Sequence, residues 1–213
     1  NLESFTLMSA IAARTERIKL FASTAVLTLP PAVVARMATT VDSVAPGRFG
    51  INIVSGWAPG EYSQMGLWPG DEYFAQRYDY STEYVTIMQE LWANGTVTMD
   101  GEFFQMDDCH MKPIPSNKIE IVCAGQSERG MAFCAEFGDY QFILGTGVNT
   151  PTAYAPGNVQ LLAAAEKTGR DIGSYVLFMV ITGDTDEEAM AKWKLYNDGV
   201  DTKALAWMAD QAD

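Results

Sequence analysis

The sequence predicts an α/β protein built on a parallel sheet, and three observations carry that expectation. Short apolar, β-branched runs alternate with stretches of helical periodicity. One such run, Arg48 to Val54, is set among glycines and holds polar Asn52 between Ile51 and Ile53, as a strand buried in a sheet would. It leads into residues 57–72, a segment rich in glycine, proline and aromatics and too long for a simple strand-to-helix connection. Long loops at the carboxyl ends of parallel strands are where barrel enzymes place their sites.

Taken in order, Leu2, Phe5, Met8, Ile11 and Ala12 recur at helical spacing, so residues 3–16 read as an amphipathic helix. A strand is expected over Ile18 to Ser23. Pro30-Pro31 opens a helix through about Val44, because proline is accepted in a first turn. Ala45-Pro46-Gly47 stops it and hands over to the strand at Arg48. Period-two alternation puts Phe49, Ile51 and Ile53 on one face, and Gly50, Asn52 and Val54 on the other. A buried carboxamide needs partners, since an unpaired polar group costs about 1–3 kcal/mol. The strand leaves through Ser55-Gly56-Trp57, an exit suited to lining a pocket or, equally, to packing a tryptophan.

A helix is expected from about Phe74 to Asn94. Thr96 to Met106 then shows two short β runs around Asp100-Gly101, a strong hairpin signal. The only histidine, His110, falls beyond that hairpin. Ile119 to Ala124 is another buried strand, ending at Gly125-Gln126-Ser127 before a helix with Met131, Phe133 and Cys134. Small residues at such a junction leave backbone N–H groups free for a phosphate, although serine there also simply caps helices. Gln141 to Leu144 is a further strand, followed by the loop Gly145 to Thr150. A helix over Ala155 to Thr168 precedes a strand over Ser174 to Thr182. Asp184 to Glu188 is acidic in the way helix starts are.

At 213 residues, with 48% hydrophobic and 19% charged residues, the chain suits one globular domain. A net charge of −13 argues against nucleic acid and anionic membrane surfaces as partners. Cys109, Cys123 and Cys134 have no metal-ligand spacing and are odd in number, so neither a zinc site nor a disulfide framework is expected, and a reducing cytoplasm is the default setting. No apolar run reaches membrane length. The chain opens at Asn1, already inside a helical pattern, and is expected to be a fragment.

Five strand-type segments tied to helices fit a barrel or a doubly wound sheet, and periodicity does not choose between them. The stretches GRFGINIVSGW, LTLPPAVVARM, MGLWPGDEYF, QRYDYSTEYV, VCAGQS, GVNTPTAYAP and TGRDIGSYVLFMV make the choice. They resemble the bacterial-luciferase-like flavin monooxygenases, most closely the pyrimidine (uracil) monooxygenases of the Rut pathway. The resemblance covers nearly the whole chain. It implies one (β/α)8 TIM barrel domain over residues 1–213, here incomplete and lacking N- and C-terminal elements. The loop of about 57–72 and the hairpin of about 96–106 would be its insertions.

Carried over residue by residue, the resemblance implies FMN contacts at Asn52, Glu61, Arg77, Tyr78 and Ser127, with Asn52 and Ser23 as catalytic residues holding oxygen beside the flavin. Ser23 stands where related sequences often carry threonine, so a hydroxyl is retained. Without the resemblance, Arg77 would read as a surface ion pair with Asp71 or Asp79, and Tyr78 as a packed helix residue. The reaction implied is opening of uracil or thymine between N3 and C4 to a ureidoacrylate product or its peracid. It would use O2 and reduced FMN from a separate NADH-dependent flavin reductase. The histidine base of some other members has no counterpart at a strand end here. Rival readings are a sister monooxygenase acting on a sulfonate or an amine, and a flavin-binding barrel without catalysis. Homo-oligomerisation is left open.

Overall fold

The computed structural model describes residues 2–145 and 147–210, so Asn1 and, in the loop after Leu144, Thr146 lie outside the described residues. Helix α1 (Ser4–Ala12) is capped by Glu3, whose carboxylate accepts from the Phe5 and Thr6 N–H groups, both at 2.8 Å. It ends earlier than the apolar spacing predicts. The guanidinium of Arg48 donates to the carbonyls of Ala12 at 3.2 Å, Thr15 at 2.9 Å and Ile18 at 3.1 Å, drawing off the acceptors that a longer helix would use. Strand β1 (Leu20–Ala25) follows, then α2 (Pro31–Val44) with proline in its first turn, and β2 (Phe49–Val54). The long loop contains a single short helix, α3 (Pro59–Ser63).

Helix α4 (Tyr73–Asn94) stops at Gly95, which takes the left-handed conformation at φ 73°. Strands β3 (Thr96–Asp100) and β4 (Gln105–His110) form an antiparallel pair apart from the main sheet. The chain then alternates through β5 (Glu120–Cys123), α5 (Glu128–Phe137), β6 (Tyr140–Leu144), α6 (Ala155–Thr168) and β7 (Gly173–Leu177). It closes with α7 (Asp186–Asp198) and α8 (Thr202–Asp210). The β7 strand is shorter than its apolar run because its ladder with β6 ends at the Leu144–Leu177 pair. Met179, beyond that pair, is 94% exposed.

The five strands of the main sheet are all parallel, in the order β1-β2-β5-β6-β7. One face, carrying Ala22, Phe49, Ile51, Ile53, Ile121 and Ile143, is buried under the helices. The other face carries Phe21, Ser23, Gly50, Asn52, Tyr140, Phe142 and Tyr175. Phe21, on one edge strand, meets Tyr175, on the opposite edge strand, with ring centroids 5.8 Å apart. A flat sheet would hold those strands four spacings of about 4.8 Å apart, so the sheet is curled, concave on the Asn52 side. This is the wall of an incomplete (β/α) barrel. Gly50 makes the curl possible: a Cβ there would lie 2.5 Å from Phe21 Cε1 and 2.6 Å from the Glu120 carbonyl.

The hairpin runs further than the expected Thr96 to Met106. Its connection spans Gly101 to Phe104, and its second strand runs on to His110, so that histidine belongs to the hairpin and pairs with Thr96. Glu83 on α4 sets this geometry by accepting N–H bonds from Glu102 at 2.8 Å and from Phe103 and Phe104 at 3.0 Å. Phe104 is seated on Tyr80, with centroids 4.7 Å apart, and against Tyr84. Glu83→Ala is therefore expected to loosen the hairpin tip at a cost of about 1–3 kcal/mol. Amide exchange at residues 102–104 should accelerate, whereas unchanged protection there would show that the carboxylate does not hold the tip.

Candidate active site

The register of β1 and β2 sets Ser23 directly beside Asn52 on the concave face. The Asn52 Nδ2 donates to Ser23 Oγ at 3.3 Å, and the Ser23 carbonyl accepts from Ser4 Oγ at 2.7 Å. Asn52 Oδ1 is buried and has no partner among the described residues. Its neighbours on that face of β2 are Gly50 and Val54, which offer it nothing polar. A buried acceptor without a donor is unfavourable in isolation and points to a group that binds there.

Beyond Asn52, the carboxyl end of β2 is tied to the long loop. The phenol of Tyr73 donates to the Ser55 carbonyl, and burial, with Tyr80 beside it, pushes that phenol well above its usual pKa, keeping it a donor. Tyr73 also meets Trp68 edge-on at 5.5 Å, and Trp68 stacks on Tyr62 at 6.2 Å. The loop is thus braced by an aromatic row, while Trp57 at the strand exit stays 46% exposed. Glu61, on α3, is exposed, and its carboxylate is hydrogen-bonded to none of the other candidate residues.

The remaining candidates meet at the start of α5. Ser127 caps this helix, its Oγ accepting from the Gly130 N–H at 3.1 Å. Tyr78 reaches across from α4 and is buried with its hydroxyl between Gly125 and Gly130. A Cβ on Gly125 would lie 2.3 Å from that oxygen, and one on Gly130 2.6 Å from it. The two glycines are spaced so that no side chain stands between the phenol and the helix start. Arg77 is half-buried, its guanidinium 3.8 Å from the centroid of the Phe74 ring and donating to the Phe74 carbonyl. The ion pair considered for Arg77 is not formed with Asp79, whose carboxylate is held by Arg129 through two bonds of 2.9 Å.

The candidates therefore form two groups, Ser23 with Asn52 and Tyr78 with Ser127, and Arg77 adjoins the second through its neighbour Tyr78. Glu61 stands apart from both. Residue patterns did not single out Gly130 or Gln141, which flank the turn at Gly125. The Gly-x-x-x-x-Gly spacing across the strand-to-helix junction was the available signal for the cradle. Gln141 gave none.

The curled sheet, its helices and these two polar groups define a barrel of the luciferase-like class. The chain belongs to the luciferase-like monooxygenase family, whose profile matches residues 1–213. Among curated relatives, it is 70% identical to the pyrimidine monooxygenase RutA of Bradyrhizobium sp. (strain BTAi1) over 99% of this chain and 59% of that protein. It is 58% identical to the pyrimidine monooxygenase RutA of Yersinia enterocolitica over 100% of this chain and 58% of that protein. The chain thus spans about three fifths of the length of these relatives. The solved structure of the EDTA monooxygenase EmoA from Chelativorans sp. BNC1 superposes with a TM-score of 0.80 at 20% identity, covering 94% of this chain and 51% of that one, and shares the fold. Among the described residues, no helix is long and apolar enough to cross a membrane.

Proposed function

We propose that this chain forms much of the flavin and substrate site of an FMN-dependent pyrimidine monooxygenase. In this reading, the enzyme opens uracil or thymine between N3 and C4 to a ureidoacrylate product. The observation that carries the proposal is the buried, unpartnered Oδ1 of Asn52 beside Ser23 on the concave face. It is supported by close identity to pyrimidine monooxygenases over the whole of this chain.

FMN fits the two polar groups. Asn52 is paired with Val122 across β2 and β5, and Gly125 is three residues further along that chain. At about 3.3 Å per residue and about 4.8 Å between strands, at most roughly 11 Å separates Asn52 from Gly125, a span that FMN can bridge from ring to phosphate. Asn52, Glu61, Arg77, Tyr78 and Ser127 would hold the cofactor. The first-turn N–H groups of α5 and the Ser127 hydroxyl suit the phosphate, and Arg77 offers a fork of donors. Reduced FMN, when bound, supplies the electrons that activate dioxygen, and a separate NADH-dependent flavin reductase would deliver it. Asn52 and Ser23 provide preorganised hydrogen-bonding groups next to the reacting oxygen. The loop bearing Trp57, Glu61 and Trp68 would cover the pyrimidine and exclude water. In this reading residues 1–213 are a single barrel domain, with that loop and the β3–β4 hairpin as insertions.

The test supplies the protein with photoreduced FMN, oxygen and uracil and follows the product by mass. A ring-opened ureidoacrylate species is expected. Flavin reoxidation with uracil untouched would move the substrate elsewhere in the family, and failure to bind FMN would remove the site assignments.

A further inference from the structure

Gln141 is a polar residue where the fold calls for an apolar one. It lies on the helix-covered face of β6, two residues before Ile143, and is 0% exposed. Its Nε2 donates to the Gly125 carbonyl at 2.8 Å, while its Oε1 is buried without a partner among the described residues. Retaining half a carboxamide unsatisfied in the core is unfavourable, and a leucine of similar volume would avoid it. Residues that break a local rule in this way tend to serve a site.

The site in question is the turn that Gln141 touches. Gly125 must hold its place closely, because an ideal Cβ on it would lie 2.3 Å from Tyr78 Oη and 3.0 Å from Gly130 Cα. The next residue is braced as well: Gln126 Nε2 donates to the carbonyls of Ala124 at 2.9 Å and Phe142 at 2.7 Å. Two carboxamides therefore hold the Ala124-Gly125-Gln126 turn, one from beneath the sheet and one across the strand ends. Ser127 and the start of α5 follow immediately.

We propose that Gln141 is a positioning residue for a phosphate cradle: by holding the Gly125 carbonyl, it fixes the turn so that Ser127, the first N–H groups of α5 and the Tyr78 hydroxyl face one anion. Gln141 does not itself touch the ligand. The inference rests on the flavin reading above, with the phosphate of FMN as the anion.

The test compares FMN with riboflavin, which has the same ring system and no phosphate. Kd values for both are measured by fluorescence titration on the unaltered protein and on Gln141→Leu. The unaltered protein should prefer FMN. Gln141→Leu should lose tenfold or more in FMN affinity and keep riboflavin within about twofold. Gln141→Glu keeps the size and shape, and carries the test should the leucine variant not fold. Buried and facing a carbonyl, its carboxyl stays protonated at neutral pH and its O–H can donate to the Gly125 carbonyl, so its FMN preference should be kept at neutral pH and weaken in alkali as the carboxyl ionises. Equal loss of both ligands, or an unchanged FMN-to-riboflavin ratio in Gln141→Leu or in Gln141→Glu taken to alkali, would overturn the proposal. A protein that binds both flavins without preference would overturn the cradle and leave the flavin site, whereas one that binds neither would overturn the flavin reading itself.

Discussion

Asn52→Ala is expected to lower oxygenation about 10²–10³-fold, equivalent to roughly 2.7–4 kcal/mol, while leaving the phosphate end of FMN bound. The expectation rests on where the carboxamide sits. It projects from the concave face of β2, next to Ser23, with one polar atom satisfied at 3.3 Å and the other unsatisfied. Hydrogen-bonding groups fixed in this way need no reorganisation as charge develops on oxygen. Stability should move the other way. Alanine removes a buried acceptor that no described residue satisfies and sacrifices only one long hydrogen bond, so the unliganded variant should melt at the same temperature or slightly higher. Single-turnover oxidation with uracil, read beside thermal unfolding, separates the two effects. Undiminished product formation would remove Asn52 from the chemistry.

Gly125→Ala is expected to damage the other end of the site with a single added methyl group. The added carbon would meet Tyr78 Oη at 2.3 Å and the Gly130 Cα at 3.0 Å, on the far side of a turn held by Gln141 and Gln126. Neither glycine backbone can retreat without disturbing the α5 cap, so the tyrosine must move. Overpacking of this kind costs about 1–3 kcal/mol, and the displaced phenol would close the cradle to a phosphate. A second substitution makes the argument specific. In the Gly125→Ala, Tyr78→Phe double variant the closest atom of that ring, Cζ, would be 3.3 Å from the new carbon. Much of the lost stability should return, although the phenol's own contribution to FMN binding would not. A double variant no more stable than Gly125→Ala would place the strain elsewhere.

The strand, helix and loop order could be read from period-two and helical spacing because those patterns record which residues face a common core. The burial of Phe49, Ile51 and Ile53, with Asn52 on the opposite face, follows from alternation alone. Local patterns were less informative wherever a distant side chain intervenes. Arg48 ends α1 from 33 residues away through Thr15, and Glu83 holds the connection of the hairpin that Asp100-Gly101 signals. In both cases a charged group captures backbone atoms that secondary structure would otherwise use.

The candidate residues themselves came from a resemblance of long stretches. Residue chemistry alone left Arg77 as an ion-paired surface residue and Tyr78 as a packed one. By itself, then, the sequence determined the α/β alternation, the two faces of the Phe49–Val54 strand, the family and the residues worth testing. The tertiary structure alone decided that Phe21 and Tyr175 meet and curl the sheet, that Asp79 is taken by Arg129 rather than Arg77, that Tyr78 fills the gap between two glycines, and that Gln141 lies beneath the turn. Each of these depends on atoms brought together across dozens of residues, where geometry and not periodicity sets which polar groups find partners.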